Sequence, residues 1–392
     1  MDVNQALPLL GGITPAQFMR RYWQKKPLLI RNAVPGLQAL TRLDMTDLAA
    51  RDDVESRLIV QKPPAAKTAA KTAAKTASPT WQLKRGPFAR RAIPPFKQSG
   101  WTLLVQGVDL HDEGVHALLQ QFRFVPDARL DDVMISYATE GGGVGPHFDS
   151  YDVFLLQAQG QRRWRIGAQQ DLALQDGVPL KILANFQPEE EFVLNPGDML
   201  YLPPRYAHDG IAVGECMTYS IGFRAPQRQD LVRELLQRVA EDADDETLYK
   251  DARQPAAEQP AQVPAALQDY AQDAVARALK EPRALARALG EYLTEPKAQV
   301  WFDEAPAAAS RAEADWPPRA GVALDRRSRM LYDAHHIFAN GESWRAAGRD
   351  AALLRQLADQ RTLDARALRG ASEDVRELLL AWLESGWLVL RA

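Results

Sequence analysis

The chain has 392 residues, too many for one ordinary core, so two or three domains are expected. Its composition, 46% hydrophobic and 25% charged, is that of a soluble globular protein, and no apolar stretch approaches the roughly 18 residues of a membrane helix. Net charge is only −3 but unevenly spread: 17 Lys+Arg against 6 Asp+Glu over residues 1–100, 8 against 17 over 101–224, and 23 against 28 beyond. The acidic middle segment suits a cationic macromolecular partner, or serves solubility alone. The start, MDVNQALPLLGGITPAQF, has no basic stretch before its short apolar run and makes a poor signal peptide. The lone Cys216 has no partner for an intramolecular disulfide, which fits a reducing cytoplasm, and its apolar neighbours predict a small core residue.

In chain order, residues 1–60 read as helix and loop, with a strand in KKPLLI after its proline. Residues 65–76 are three copies of Ala-Ala-Lys-Thr flanked by prolines. Such a segment has almost nothing to bury, and a disordered or weakly helical surface insertion is expected over about 62–80. From 101 the pattern becomes strands: WTLLV, then a short helix placing Leu118, Leu119 and Phe122 on one side, then DVMISYAT (132–139), DVFLLQAQ (152–159), RRWRIG (162–167), EFVLNPGDMLYLPP (191–204) and CMTYSIGFR (216–224). Asn195-Pro196-Gly197-Asp198 suits a type II turn. Many short strands separated by turns mean an antiparallel double sheet or barrel. After Phe223 the strands stop. Leu231, Val232, Leu235, Leu236 and Val239 fall on one helical face. A Pro/Ala/Gln linker covers 253–264, and helical patterns run to about 300. Near the end, Ser372 caps a helix with Glu373 and Asp374 in its first turn, Gly386 stops it, and WLVL makes a strand, as in a winged-helix module.

Chemistry concentrates in GPHFDSYDVF, residues 145–154. Alternation along a strand would aim His147 and Asp149 one way and Phe148 the other. An imidazole and a carboxylate side by side are two thirds of a facial triad. His208, just past the stiff turn of YLPPRYAHDG, could be the third member. Two histidines and one carboxylate suit iron(II) with three coordination positions open. The spacing is weak alone; the glycine-rich approach EGGGVGPH, which lets backbone pass close to a site, strengthens it. The competing reading is a satisfied core histidine beside a surface aspartate. His111, His116, His335 and His336 have no such strand pattern and read as structural or surface residues. A hairpin after DVFLLQAQG would carry Arg162, Trp164 and Ile166 on one face. A buried guanidinium there needs an anion, either a dicarboxylate cosubstrate or an acidic side chain at the sheet edge. Thr218 and Ser220 alternate on the last strand and could add hydroxyl contacts, or face water.

The stretches GGGVGPHFDSYDVFLLQAQGQRRWRIG and LNPGDMLYLPPRYAHDGIAVGECMTYSIGFRAP strongly resemble the bacterial JmjC-type (cupin-4) ribosomal oxygenases. QFMRRYWQKKPLLIRNA resembles their N-terminal segment and DRRSRMLYDAHHIFANGESW a stretch of their C-terminal region; the Ala-Ala-Lys-Thr insertion has no counterpart in the pattern. The resemblance implies a mainly β, double-stranded β-helix core at 101–225, behind a flanking N-terminal segment (1–100). A helical, probable dimerisation region (226–300) and a winged-helix domain (301–392) follow. It implies an iron(II)- and 2-oxoglutarate-dependent protein hydroxylase using dioxygen. The target would be the β-carbon (C3) of an arginine in large-subunit ribosomal protein sixteen. By matching position His147, Asp149 and His208 would hold the metal, Arg162 the distal carboxylate of 2-oxoglutarate, and Thr218 and Ser220 would line its pocket. The implied partners are a basic ribosomal protein and a second copy of the chain, in the cytoplasm, with no membrane. Direct nucleic-acid binding is not expected, because Arg376 is the single cation of the predicted recognition helix at 373–384. The rival readings are an oxygenase acting on another residue or a small molecule, and a non-catalytic metal-binding β-barrel scaffold.

Overall fold

The computed structural model describes residues 2–62, 80–256 and 259–391. The expectation for the Ala-Ala-Lys-Thr repeats therefore lies outside the described residues. Two compact units divide the chain, Met1–Ala225 and Pro226–Ala392.

The first unit is built on a nine-stranded sheet. Its strands are β1 (Leu28–Ile30), β2 (Ser56–Lys62), β3 (Thr80–Arg85), β4 (Trp101–Val105), β5 (Leu130–Ala138), β6 (Asp152–Gly167), β7 (Glu190–Leu194), β8 (Met199–Leu202) and β9 (Ala207–Phe223). All neighbours are antiparallel, in the order β1-β8-β6-β9-β5-β4-β2-β3, with β7 paired to β6. Residues 1–100 thus contribute strands to the same sheet as 101–225. The KKPLLI strand forms as expected and pairs Leu28 with Tyr201. Helix α1 (Pro15–Arg21) and helix α2 (Arg42–Leu48) each start on a capping box, at Thr14 and Thr41, which satisfies two orphan amides apiece. Helix α3 (Glu113–Gln120) buries Leu118 and Leu119, with Phe122 just beyond, as the periodicity predicts.

Strand alternation sorts side chains into two layers. Val133, Ile135 and Tyr137 of β5, Phe154 and Leu156 of β6 and Met217, Tyr219, Ile221 and Phe223 of β9 join Phe18, Trp23 and Phe122 in one large aromatic-rich core. The intervening residues face the other way. Val153, Leu155, Trp164 and Ile166 of β6 meet Leu194, Leu200 and Leu202 there in a second cluster. Ser136, Gln157, Arg162, His208 and Thr218 are buried polar residues of the same strands.

Two local expectations are corrected. No hairpin separates residues 152–159 from 162–167; both belong to the single 16-residue β6, which pairs with β9 almost throughout. Gly160 read as a turn, but it sits at φ 63° where the register with β9 shifts, so it is a bulge that bends the strand. A Cβ there would lie 2.1 Å from the Glu215 carbonyl oxygen, which leaves glycine as the residue that fits. The bulge keeps Arg162, Trp164 and Ile166 on one buried face, with Arg163 exposed. His147 is likewise not inside a regular strand; it makes an isolated antiparallel bridge to His208.

The second unit opens with α4 (Arg228–Glu241), α5 (Ala265–Ala278), α6 (Ala284–Thr294) and α7 (Pro306–Ala314). Of the apolar face expected on α4, Val239 is buried, whereas Val232 and Leu236 are 57% and 43% exposed. Two small sheets follow: β10 (Val322–Leu324) between β14 (Thr362–Leu363) and β15 (Leu388–Leu390), and the meander β11 (Met330–Tyr332), β12 (His336–Ala339), β13 (Glu342–Arg345). Helices α8 (Gly348–Gln360), α9 (Ala365–Leu368) and α10 (Glu373–Glu384) pack on them around Leu354, Leu357, Leu379, Trp382 and Leu383. Ser372 caps α10 as expected, Gly386 (φ 73°) ends its turn, and WLVL supplies β15.

Candidate metal centre

Three side chains meet where the bridge between residues 147 and 208 draws the glycine-rich loop onto β9. The bridge is a reciprocal backbone pair, His147 N–H to His208 O (2.9 Å) and His208 N–H to His147 O (2.8 Å). Arg205 N–H donates to Asp149 O at 2.7 Å, which ties down the far end of the His-x-Asp segment. Glycines make the approach close enough. A Cβ on Gly143 would lie 2.6 Å from the Gly210 carbonyl, and one on Gly210 would lie 2.6 Å from the Trp164 ring.

The result is that ligand atoms of His147, Asp149 and His208 lie within 4.8 Å of one another, the one such His/Cys/Asp/Glu group among the described residues. The His208 Nε2 and the Asp149 carboxylate are 3.6 Å apart. Each imidazole is held through its other nitrogen: His147 Nδ1 donates to the Gly145 carbonyl and His208 Nδ1 to the Tyr206 carbonyl, both at 2.9 Å. Those bonds fix the tautomers and leave both Nε2 lone pairs for a metal. The set is three donors, one fewer than a closed structural site takes.

His208 is 2% exposed, and burial, reinforced by the neighbouring His147, pushes its pKa down to about 4. It is therefore neutral at pH 7, the state that binds metal. A depressed histidine binds a proton more readily in the unfolded chain than in the folded one. Stability of the metal-free protein should then fall as pH drops from about 6.5 towards 4, by of order 3 kcal/mol. Urea unfolding at several pH values checks this, and His208→Gln should flatten the dependence in that window.

Arg162 is the second anomaly of this face. It is 5% exposed, and the hydrogen bond it makes among the described residues goes to a hydroxyl: Nη1 donates to Ser136 Oγ at 3.2 Å. Its Nε and Nη2 are buried with no hydrogen-bond partner. The alternative of an acidic side chain at the sheet edge is not realised. A buried guanidinium with two unsatisfied donor atoms is costly unless an anion completes it. In the β6–β9 register Arg162 opposes Ala212 and Ile166 opposes His208. Four residues of strand, roughly 13 Å, separate the two points.

Thr218 is 1% exposed, and its hydroxyl donates to Gln157 Oε1 at 2.9 Å, while its carbonyl accepts from Ser136 Oγ at 3.4 Å. Ser220 is half-buried, opposite Met134 on β5 and Leu155 on β6. Sequence reasoning missed Ser136 and Gln157. The signal for Ser136 was present: in DVMISYAT it alternates with the residues that face the large core. Tyr151 also escaped notice; burial of its phenol, and then the nearby Asp149 carboxylate, raise its pKa.

Known proteins resemble this chain over most of its length. A JmjC domain is matched over residues 117–231 and a ROXA-like winged helix over 265–389. The chain is 31% identical over 385 residues to the ribosomal protein uL16 3-hydroxylase of Escherichia coli K12, covering 94% of this chain and 96% of that protein. The chain belongs to the JmjC-type ribosomal oxygenases. Another member, a probable ribosomal oxygenase of Haemophilus influenzae, is 37% identical over 225 residues, 56% of this chain and 52% of that one. The crystal structure of E. coli YcfD superposes with a TM-score of 0.82 at 28% identity, covering 96% and 98% of the two chains. A YcfD structure in complex with cobalt and 2-oxoglutarate superposes at 0.74 and 28% identity, with the same coverage. For this ribosomal oxygenase the expected mainly β JmjC core, helical region and winged-helix module all stand. The winged-helix match begins at 265 and so takes in α5, α6 and α7.

Proposed function

We propose that this ribosomal oxygenase is an iron(II)- and 2-oxoglutarate-dependent protein hydroxylase that acts on C3 of an arginine in ribosomal protein uL16. The observation carrying the reading is the pairing of an open three-donor cluster with a buried, anion-seeking Arg162 on one sheet face. The close likeness to the E. coli uL16 3-hydroxylase over nearly the whole chain supports the target.

In this reading His147 and His208 present Nε2 and Asp149 a carboxylate oxygen as one face of an octahedron. The Gly145 and Tyr206 carbonyls hold the rings in place. Arg162 takes the distal carboxylate of the cosubstrate, with Ser136 steadying the guanidinium and Thr218 and Ser220 on the adjoining strand. When bound, iron(II), 2-oxoglutarate and dioxygen supply the oxidising chemistry: one oxygen atom enters a C–H bond, and the other leaves in succinate, with carbon dioxide released. The apolar side chains of Trp164, Ile166, Leu194, Leu200 and Leu202 keep bulk water from the buried side of the site. Mass spectrometry of ribosomal proteins from a deletion strain tests the target: uL16 should lose about 16 Da, one oxygen atom, from one arginine. An unchanged uL16 with the loss on another protein transfers the activity to that substrate.

The charge argument for a basic partner needs revision. Residues 1–100 fold into the same unit as the acidic stretch, so residues 1–225 carry 25 Lys+Arg against 23 Asp+Glu. A ribosomal protein would be seated by local carboxylates, not by the net charge of a separate acidic domain.

The reading extends to a cytoplasmic homodimer without direct nucleic-acid contact. The free, buried Cys216 supports the compartment. Helix α10 carries Glu373, Asp374, Glu377 and Glu384 against Arg376, which disfavours phosphate backbones. Val232, Leu236, Val275, Leu279 and Leu285, all exposed on α4 to α6, supply apolar surface for a second copy. Val232→Asp with Val275→Asp should shift the mass in light scattering from dimer to monomer; a wild-type monomer at micromolar concentration ends the dimer reading.

A further inference from the structure

The second unit carries 23 Lys+Arg against 28 Asp+Glu, yet one cavity in it has the opposite character. The cavity, about 500 Å³, is lined by Arg283, His335, Arg345 and Arg355 together with the backbone at the start of α8. No carboxylate lines it. Arg283 lies just before α6, His335 in the β11–β12 turn, Arg345 at the end of β13 and Arg355 about two turns into α8, so four separate elements bring these side chains together.

Their charges are not neutralised locally. Arg283 and Arg345 make no side-chain hydrogen bond or ion pair with any described residue, and Arg355 spends Nη2 on the Asp333 and Ala334 carbonyls and leaves a buried Nε without a partner. Two carboxylates close in sequence to the lining residues are occupied elsewhere. Asp333 accepts from the backbone amides of His335 and His336, and Asp350 binds the Ser372 hydroxyl and amide. Helix α8 adds its own positive end. Its N-cap is Ala347, whose side chain can accept nothing, so the first amides of this 13-residue helix have no capping oxygen.

Three arginines without acids, around a concave space at an uncapped helix start, form an anion receptor. We propose that this cavity binds a compact oxyanion of the phosphate class, as the free ion or as the terminal group of a phosphomonoester. A polynucleotide is the less suited source. Arg345 also borders a neighbouring cavity whose lining mixes six carboxylates with four further Lys and Arg, so the excess of positive charge ends at the receptor, which suits a compact ion better than a long polyanion. The site lies wholly within the second unit and does not depend on the hydroxylase reading.

The test is calorimetric titration of the full-length protein with inorganic phosphate at constant ionic strength, with chloride as the control. The expected result is saturable one-to-one binding that weakens at least tenfold in Arg283→Ala/Arg345→Ala and recovers in part in Arg345→Lys. The double variant must keep the wild-type circular dichroism spectrum. If it does not, the single variants Arg283→Gln and Arg345→Gln carry the comparison. Absence of saturable phosphate binding up to about 10 mM by wild-type protein overturns the proposal. Equal affinity in wild type and variants also overturns it. A short RNA that displaces phosphate, with a steep salt dependence lost in the same variants, replaces it with a nucleic-acid site.

Discussion

Replacing His147 or His208 with alanine abolishes turnover, by a factor of at least about 10³, and removes stoichiometric metal. Either substitution leaves two donors, too few to hold a divalent ion against water with three positions open. Even loss of an outer-sphere partner costs 10- to 100-fold in affinity or activity, so loss of a direct donor exceeds that. Geometry makes the two histidines interdependent. Their rings are 4.2 Å apart between centroids, and their backbones exchange both hydrogen bonds of the bridge. The bridge survives the substitution because it is made by main-chain atoms. The variants should therefore fold, and their defect should appear in metal content first. Metal analysis of the purified variants with iron-dependent succinate release is the check. Normal metal loading and activity in His147→Ala would remove that residue from the set and leave a cluster that cannot be a facial triad.

Arg162→Met has the second largest effect, and it acts in opposite directions on activity and stability. The guanidinium's Nε and Nη2 are buried with no hydrogen-bond partner among the described residues. Losing a bidentate, charge-assisted contact costs of order 2–4 kcal/mol, so the KM for 2-oxoglutarate should rise about 30- to 1000-fold. Metal binding should be unchanged, because Arg162 lies four residues along β6 from the pairing partner of His208. Methionine of similar length relieves a buried unpaired charge, so the cosubstrate-free protein should gain about 1–3 kcal/mol towards urea. Arg162→Lys keeps the charge but loses the fork and should lie between the two in KM. A structural role for Arg162 predicts the reverse, lower stability with unchanged KM.

Much of this centre was legible before any fold was known. His147 and Asp149 were singled out by their spacing and His208 by the stiff turn before it. All three converge, although His147 sits in an isolated bridge instead of a strand. The conclusion survived the wrong element because a bridge, like a strand, sets alternate residues on one side. Period two on RRWRIG puts Arg162 on the buried face that the structure shows, although the expected hairpin does not form. Gly160 marks a turn and a bulge with the same residue, and only the pairing with the 17-residue β9 distinguishes them. Ser136 is different: its alternation in DVMISYAT marks a face, but its residue type does not say what that face meets. Small polar residues in strands face water as often as they face a site, and it is burial beside Arg162 that gives Ser136 its place.

The chain by itself determined which residues are suited to the chemistry: an imidazole-carboxylate pair two apart, a second imidazole after a proline-stiffened turn, an arginine on an apolar face, and glycines where backbones must nearly touch. Local sterics, alternation and side-chain chemistry act within a few residues, so they can be read from neighbours. The tertiary structure decided which of these groups meet and what surrounds them. It joined residues 147 and 208 across some sixty residues of chain, and it folded the basic first hundred residues into the acidic segment's own sheet. It also left Arg162 without a counter-charge among the described residues. Those outcomes depend on long-range strand register and on which charges are removed from water together, and neither is a property of any short stretch.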